Sequence, residues 1–283
     1  MSTSFFVAAD WLAEHIDDPE IQIIDARMAP PGQEERDLNA EYQAGHIPGA
    51  VFFDIEALSD HTSPLPHMMP RAEAFAVAMR ELGVSSDKHL VVYDEGNLFS
   101  APRAWWMLRW AGLRTVKILD GGWQSWTRNR YPVAVGPGNP VWPGTFQFVG
   151  PAMPVAQIAD VERWTEHGTL LDARLPGRYT GKTGAQVDRR IGHIPGAKNM
   201  PALDLVHEDM TFLPPEEIRA KLAARGINGP EDAKEVATYC GSGVNATQVI
   251  FAMELAGLPG ATLYPGSWSE WGSDRARPAE TGV

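Results

Sequence analysis

Residues 236–245 read Val236-Ala237-Thr238-Tyr239-Cys240-Gly241-Ser242-Gly243-Val244-Asn245, and the fold is organised around this run. Its first four residues predict a short buried strand. The residues from Thr247 to Leu255 predict a helix, and Gly257 supplies a stop at its C-terminal end. The sequence therefore predicts a cysteine at the end of a strand, followed by a loop with two glycines and then a helix.

Cys240 is the only cysteine in the chain, and its position suits a nucleophile. Glycines let the loop bend so that successive backbone N–H groups point at one place, and the positive end of the following helix points there as well. Both features stabilise a thiolate, the nucleophilic form of cysteine. The alternative is a buried cysteine that acts as a small apolar residue. A phosphatase loop of the form Cys-x5-Arg is disfavoured, because position 246 is Ala246.

The composition is that of an ordinary globular protein with an excess of acidic residues. The 283 residues are 44% hydrophobic and 21% charged, with a net charge of −12, which argues against a nucleic-acid partner. One cysteine allows no intramolecular disulfide and suits a reducing compartment. We expect a cytoplasmic protein without a membrane partner, because residues 1–16 lack a signal-peptide pattern and no stretch approaches ~20 consecutive apolar residues.

The chain contains the same pattern twice. Four blocks recur in the same order, with a nearly constant spacing of 145 to 147 residues. The matched pairs are 23–27 with 170–174, 45–50 with 192–197, 90–94 with 236–240, and 122–126 with 267–271. This regularity indicates a duplicated domain, since the period is much longer than that of a solenoid repeat. In the alignment, Asp94 stands at the position of Cys240.

Each copy alternates short apolar runs with helical stretches. In the first copy, strands are predicted at 21–25, 90–93 and 116–119, and helices at 10–15, 71–82 and 101–110. This alternation predicts an α/β fold, with a mostly parallel sheet flanked by helices in each copy. Sites in such folds form beyond the carboxyl ends of the strands, where Cys240 lies. We predict domains at 1–138 and 154–283, joined by a linker rich in glycine and proline at 139–153.

Two further repeated motifs are interpreted as structural. The Gly-His-Ile-Pro-Gly-Ala block carries His46 in one copy and His193 in the other. Its presence in the copy without a cysteine favours a histidine that supports a turn over a catalytic one. The Asp-Ala-Arg block, which ends at Arg27 and Arg174, predicts an ion pair or cap at the end of a strand.

With these motifs in place, the sequence resembles the tandem rhodanese family of sulfurtransferases over essentially its whole length. The resemblance rests on both Asp-Ala-Arg blocks, both Gly-His-Ile-Pro-Gly-Ala blocks, the Gly-x-Trp-x-x-Trp endings and the Cys240 loop. It implies two tandem rhodanese-like domains, with the active cysteine in the second. A carboxylate cannot carry a sulfane sulfur, so the domain with Asp94 is expected to be catalytically silent.

The loop that begins at Cys240 is similar to Cys-Gly-Ser-Gly-Val-Thr in family members that take sulfur from 3-mercaptopyruvate, with Asn245 in place of the threonine. The resemblance implies that Cys240 takes the sulfur as a persulfide while pyruvate leaves. A thiol acceptor, such as thioredoxin or a small thiol, or cyanide then removes the sulfur. No metal and no organic cofactor is expected. The loop residues expected to contact the substrate are Gly241, Gly243, Val244 and Asn245.

A donor whose thiol loses a proton needs a group to accept it, and Ser242 is the candidate relay. By resemblance, the relay continues through His67 to an acid at Glu56, where many relatives carry aspartate. His67 lies in the proline-rich run 63–68, and loops often carry functional residues. The alternative for Ser242 is a loop residue that only satisfies backbone groups.

The carboxylate of the donor needs a cationic clamp, and the planar fork of arginine fits it. By resemblance, the first arginine is Arg178, in the run Gly177-Arg178-Tyr179. The second lies shortly before the second Gly-His-Ile-Pro-Gly block, where Arg189 is preferred over Arg190. The alternative for the Arg189–Arg190 pair is a solvated pair of charges.

Two other functions stay open. The first is a thiosulfate:cyanide sulfurtransferase, whose loop in this family resembles Cys-Arg-Lys-Gly. It is disfavoured because Gly241 and Ser242 are uncharged. The second is a non-catalytic rhodanese-like module that binds a partner or carries a persulfide, and the retention of Cys240 in an intact loop argues against it.

Overall fold

The computed structural model of the protein describes residues 5–138, 143–184, 188 and 190–282, apart from the side chains of residues 163 and 165–167. The chain divides into two compact units. The first comprises Met1–Leu58 and Pro70–Ala152, and the second comprises Ser59–Met69 and Met153–Val283. In the described ranges, no helix has the length and apolar character needed to cross a membrane.

The first unit contains a parallel sheet in the order β1-β5-β4-β2-β3. Its strands are β1 (Phe6–Val7), β2 (Ile21–Asp25), β3 (Val51–Phe52), β4 (His89–Tyr93) and β5 (Val116–Leu119). Its helices are α1 (Ala9–Glu14), α2 (Leu38–Ala44), α3 (Ala72–Glu81), α4 (Ala101–Trp110) and α5 (Gly122–Arg128). The central strand β4 is buried along Leu90–Tyr93, which fits a parallel sheet covered on both faces.

The second unit repeats this plan with the parallel order β7-β6-β8-β9. Its strands are β6 (Thr169–Asp172), β7 (Lys198–Asn199), β8 (Val236–Tyr239) and β9 (Thr262–Leu263). Its helices are α6 (Ile158–His167), α7 (Pro176–Thr180), α8 (Pro215–Ala223), α9 (Pro230–Lys234), α10 (Val244–Leu255) and α11 (Ser267–Trp271), with a 3₁₀ turn at Ala202–Leu205. Val155 forms a parallel bridge with Leu263, at the place where β1 meets β5 in the first unit.

The predicted α/β architecture is confirmed, and the predicted bounds of α1 and α3 differ from the structure by one residue at each end, whereas the start of α10 differs by three. Helix α10 begins at Val244, three residues before the predicted start at Thr247. Gly243 adopts a left-handed φ of 82° and turns the chain directly from the loop into the helix. The helix therefore starts closer to Cys240 than the sequence predicts. The predicted domain limits at 138 and 154 stay predictions, and residues 139–142 of the predicted linker lie outside the described residues.

The Asp-Ala-Arg blocks form buried ion pairs at the ends of β2 and β6, as predicted. Arg27 meets Asp25 at 2.7 Å, and Arg174 meets Asp172 at 2.6 Å. Each guanidinium also donates to the carbonyl of a glycine before a repeated histidine, at 2.9 Å in the first unit and 2.8 Å in the second. Each pair therefore ties the end of a strand to the histidine turn.

The repeated histidines lie in these turns and are buried. His46 Nδ1 lies 2.9 Å from the carbonyl oxygen of Tyr42, and His193 Nδ1 lies 2.8 Å from that of Tyr179. Each imidazole stacks on the ring of the same tyrosine. The two copies share this arrangement although only one has a cysteine, which supports the structural interpretation of the histidines.

Candidate active site

Cys240 follows β8 and is held from several sides. Its sulfur accepts a hydrogen bond from the N–H of Gly243 at 3.1 Å. Its own N–H donates to Ser267 Oγ at 3.1 Å, and its carbonyl accepts from the N–H of Trp268 at 3.1 Å. Cys240 is only 4% exposed, yet the N–H bond to sulfur distinguishes it from a cysteine that merely fills apolar space.

The first turn of α11 supports the cysteine loop. Ser267 is fully buried, and its hydroxyl donates to the carbonyl of Tyr264 at 2.9 Å while it accepts from Cys240. Ser269 donates to the carbonyl of Gly241 through its N–H at 2.9 Å and its hydroxyl at 2.7 Å. Neither serine was predicted from the sequence as a support of the site. The repetition of block 267–271 at 122–126 could have indicated this support, because the first block donates N–H groups to the loop at Asp94 and Glu95 in the same way.

Ser242 and His67 lie together, although 175 residues separate them in the sequence. Ser242 Oγ is 2.7 Å from His67 Nδ1, and both residues belong to the second compact unit. His67 has a left-handed φ of 56°, which is uncommon for a residue with a Cβ. The backbone of the loop is therefore held in a conformation that brings the imidazole to the serine.

Glu56, the third member of the predicted relay, lies in the first unit. Its side chain is exposed, and its N–H donates to Asp54 Oδ1 at 3.0 Å. The predicted role of Glu56 in the relay stays a prediction.

Arg178 lies on α7 and faces the cysteine loop. A Cβ atom placed on Gly241 would lie 2.9 Å from Arg178 Nη2, so any larger residue at position 241 would crowd the guanidinium. Arg178 donates to Asp188 through Nε at 2.9 Å and through Nη2 at 2.5 Å. Asp188 is 6% exposed at its side chain. Asp188 is not predicted from the sequence, because an aspartate before two arginines has the pattern of an ordinary charged surface.

The second arginine of the predicted clamp is not placed by the structure. Arg189 lies outside the described residues. Arg190 Nη1 donates to the carbonyls of Arg277 at 2.8 Å and Asp274 at 3.3 Å. This guanidinium therefore secures backbone near the end of the chain, in contrast to the solvated pair considered as the alternative.

The second unit contains a cavity of about 210 Å³. Asp188 and Ser269, which contact Arg178 and Gly241 respectively, form part of its wall. The other lining residues are Pro64, Leu65, Pro66, Arg190, Trp268 and Gly272. Its volume suits a small organic anion. In the part of the chain that the structure describes, no group of three His, Cys, Asp or Glu residues is arranged to hold a metal ion.

The remaining predicted contacts lie at the start of α10. Gly243 and Val244 are buried, and Asn245 is half-buried. The side-chain oxygen of Asn245 is shielded from solvent and has no hydrogen-bond partner among the described residues. The predicted contact of Asn245 with the substrate stays a prediction.

In the first unit, Asp94 occupies the position that corresponds to Cys240. Its carboxylate accepts hydrogen bonds from the N–H groups of Gly96 at 2.8 Å, Ser100 at 3.2 Å and Ala101 at 3.0 Å. Burial raises the pKa of Asp94, while these backbone donors act in the opposite direction. The loop of the first unit is therefore filled by the carboxylate of its own residue.

Comparison with known proteins identifies the family. The family model of the Rhodanese-like domain matches residues 8–129 and 157–274. The chain belongs to the rhodanese-like family. The resemblance noted from the sequence and the prediction of two tandem rhodanese-like domains are thereby confirmed.

Members of this family with known activities are similar to the chain over nearly its full length. The 3-mercaptopyruvate sulfurtransferase of Escherichia coli (strain K12) is 52% identical, with 99% of each chain covered. The thiosulfate sulfurtransferase of Mus musculus is 38% identical, with 98% of this chain and 94% of that protein covered. The crystal structure of the 3-mercaptopyruvate sulfotransferase SseA from Escherichia coli has a TM-score of 0.84 and 52% identity, and it covers 95% of this chain and 100% of that chain.

Proposed function

We propose that this protein is a 3-mercaptopyruvate sulfurtransferase that moves sulfur through a persulfide on Cys240. The observation that carries the proposal is the 2.7 Å contact between Ser242 and His67 in the loop that begins at the cysteine. A hydroxyl and an imidazole that meet in the loop after the cysteine suit a donor that has a thiol proton to lose. The Escherichia coli enzyme of that name, 52% identical over the full length, supports the same donor.

In the first half-reaction, the Cys240 thiolate attacks the thiol sulfur of 3-mercaptopyruvate. A sulfur–sulfur bond forms, the carbon–sulfur bond breaks, and its electron pair leaves with the pyruvate enolate. The thiol proton passes through Ser242 and His67 and is returned to the enolate carbon, so that pyruvate is released. The N–H of Gly243 and the start of α10 stabilise negative charge on the sulfur.

In the second half-reaction, the thiolate of an acceptor attacks the outer sulfur of the persulfide. The sulfur–sulfur bond breaks, the acceptor becomes a persulfide, and Cys240 returns as a thiolate. Cyanide reacts in the same way and gives thiocyanate. The physiological acceptor is a small thiol or a protein thiol of the thioredoxin type, and the site of action is the cytoplasm.

Arg178 binds the carboxylate of the donor, and the cavity next to it receives the three-carbon body. Arginine presents two parallel N–H donors, which match the two oxygens of a carboxylate. The guanidinium meets the cysteine loop at Gly241, so a donor held there has its sulfur directed towards Cys240. The loop of the first unit that carries Asp94 accepts no sulfur, because a carboxylate cannot form a persulfide.

The decisive experiment compares two donors. We expect pyruvate release from 3-mercaptopyruvate to exceed sulfite release from thiosulfate by about 10- to 100-fold in kcat/KM, which is roughly the value of one charged hydrogen-bonded contact. A preference for thiosulfate would favour the activity of the mouse relative. Turnover with neither donor would favour a binding module.

Replacing Ser242 by alanine tests the relay separately from donor binding. We expect Ser242→Ala to lower kcat for pyruvate release by about 100-fold, the lower end of the effect of a lost acid–base group, with little change in KM. Transfer of sulfur from a preformed persulfide to cyanide should keep its rate, because that step moves no proton.

The matched control is Ser273→Ala, which removes an exposed hydroxyl that donates to the carbonyl of Glu270. This variant should behave like the wild type in both half-reactions. An unchanged kcat in Ser242→Ala, or an equal loss in both half-reactions, would contradict the relay.

A further inference from the structure

The second unit contains a series of side chains with alternating charges that ends at the loop formed by residues 240–243. It begins with the buried pair of Asp172 and Arg174 at the end of β6. Arg174 Nη1 lies 3.5 Å from Asp188, and Asp188 in turn takes two hydrogen bonds from Arg178. Arg178, the last member of the series, faces Gly241, which has no side chain. The series therefore has two positive and two negative members and a net charge of zero.

The first unit contains the same series from its own residues. Asp25 pairs with Arg27, and Arg27 and Glu41 lie near enough for each to shift the pKa of the other. Glu41 accepts two hydrogen bonds from Arg36, at 2.8 Å and 2.5 Å. The position of Glu41 precedes that of Asp188 by the same 147 residues that separate the repeated blocks.

The two series differ at the end next to the loop. In the first unit, Arg36 also forms an ion pair with Glu95, the residue that follows Asp94. Glu95 corresponds to Gly241, because each of these two carbonyls accepts an N–H from the matched residue of the neighbouring helix, Gln124 in one unit and Ser269 in the other. The first unit thus supplies the Glu95 carboxylate to Arg36, whereas no described residue of the second unit supplies a carboxylate to Arg178 from the position of Gly241.

The open position has a defined shape. Arg178 donates one hydrogen bond from Nε and one from Nη2 to Asp188. The opposite edge of the guanidinium, formed by Nη1 and Nη2, has no further partner among the described residues. A Cβ on Gly241 would lie 2.9 Å from Nη2 and 3.7 Å from Nη1, so the space opposite this edge is the space that a side chain at 241 would take. In the first unit, the Glu95 carboxylate pairs with Arg36 from the position that corresponds to Gly241.

We propose that Asp188 is a positioning residue that sets donor selectivity, because it holds Arg178 in a neutral pair whose open edge accepts one carboxylate. This inference rests on the proposed function and adds a residue to it. Since the pair has no net charge, binding depends on the geometry of two parallel hydrogen bonds more than on attraction of charge. A dianion such as thiosulfate gains less from a neutral pair than from a free cation, and it lacks the planar carboxylate that the edge fits.

The test is Asp188→Asn, with both donors measured. We expect KM for 3-mercaptopyruvate to rise about tenfold, the order of one lost orienting contact, while its kcat stays within about twofold. KM for thiosulfate should fall, so that the ratio of the two kcat/KM values shifts towards thiosulfate by more than tenfold. Inorganic sulfate, a dianion that is not turned over, should become a stronger competitive inhibitor of pyruvate release.

Two further variants separate positioning from a general effect of charge or folding. Glu231→Gln changes the net charge by the same amount on the surface, where the side chain is 86% exposed, and should leave the donor ratio unchanged. Asp188→Glu keeps the charge and should keep the donor ratio of the wild type, even if KM rises. In an Arg178→Ala background, Asp188→Asn should no longer change the donor ratio, because Asp188 acts through Arg178.

The outcomes distinguish this inference from the proposed function. If the wild type released no pyruvate from 3-mercaptopyruvate, the proposed function itself would be wrong. If the wild type turned over and Asp188→Asn kept the donor ratio, or changed it equally without Arg178, only the role of Asp188 would be overturned. If Asp188→Asn did not fold, a shift of the donor ratio towards thiosulfate in Asp188→Glu would overturn it, because that variant keeps the charge.

Discussion

Replacing Cys240 by serine should abolish pyruvate release from 3-mercaptopyruvate, with a loss of about 10⁴-fold or more in kcat. A serine hydroxyl is almost entirely protonated at neutral pH and forms no stable bond to a sulfane sulfur. A cysteine thiolate attacks the sulfur of the donor and then holds it as a persulfide. The substitution keeps the size of the side chain, so the contacts of the backbone with Ser267 and Trp268 should persist.

The same variant gives a direct measurement of the intermediate. Because the chain has one cysteine, a persulfide on the protein has one possible location. Mass spectrometry after exposure to the donor should show the gain of one sulfur atom in the wild type and none in Cys240→Ser. Sulfur gain by the serine variant would contradict the assignment, and an unchanged thermal transition would show that loss of activity is not loss of fold.

Replacing Arg174 by methionine should destabilise the second unit by about 3–5 kcal/mol, the usual cost of leaving one partner of a buried ion pair without compensation. Asp172 is fully buried and would lose its paired cation, while it kept the N–H of residue 174 and the hydroxyl of Tyr239 as partners. The guanidinium also lies 4.8 Å from the ring of Trp268, and the backbone N–H of Trp268 donates to the carbonyl of Cys240. The variant should therefore also loosen the cysteine loop.

Unfolding in urea, followed by tryptophan fluorescence, measures this effect. The duplicated fold offers a matched variant, Arg27→Met, which removes the equivalent cation from the first unit. It should cost a similar free energy of unfolding. The surface control is Lys234→Met, whose exposed partner is Glu231, and it should change stability little. A stability loss in Arg174→Met no larger than in this control would contradict the argument.

Much of the fold could be predicted from the sequence because it follows from local patterns. The short apolar runs at 21–25, 116–119 and 236–239 form the strands predicted for them. The repeated blocks revealed the duplication, since each copy needs the same turn histidine and the same ion pair at the end of a strand. The position of Cys240 after β8 follows from the same pattern, as does the identity of the residue that replaces it in the first unit.

The parts of the site that were missed depend on contacts between distant residues. Ser267 and Ser269 lie 27 and 28 residues beyond their partners in the cysteine loop. Asp188 is ten residues from Arg178, and the intervening stretch has no periodicity that would predict their pairing. The sequence predicts a start of α10 three residues too late, because the left-handed φ of Gly243, which lets the helix begin at Val244, does not show in the pattern of residue types.

The sequence by itself determined the duplication, the parallel α/β class, the single cysteine and the aspartate that takes its place at position 94, because hydrophobic periodicity and residue identity are local properties. Only the tertiary structure decided that His67 meets Ser242 and that Asp188 fixes Arg178 at the edge of Gly241. These contacts depend on the path of loops whose conformations are set by packing and hydrogen bonds with other elements. A hydrogen bond requires its partners within about 3 Å, and a sequence pattern alone does not place loop atoms that closely.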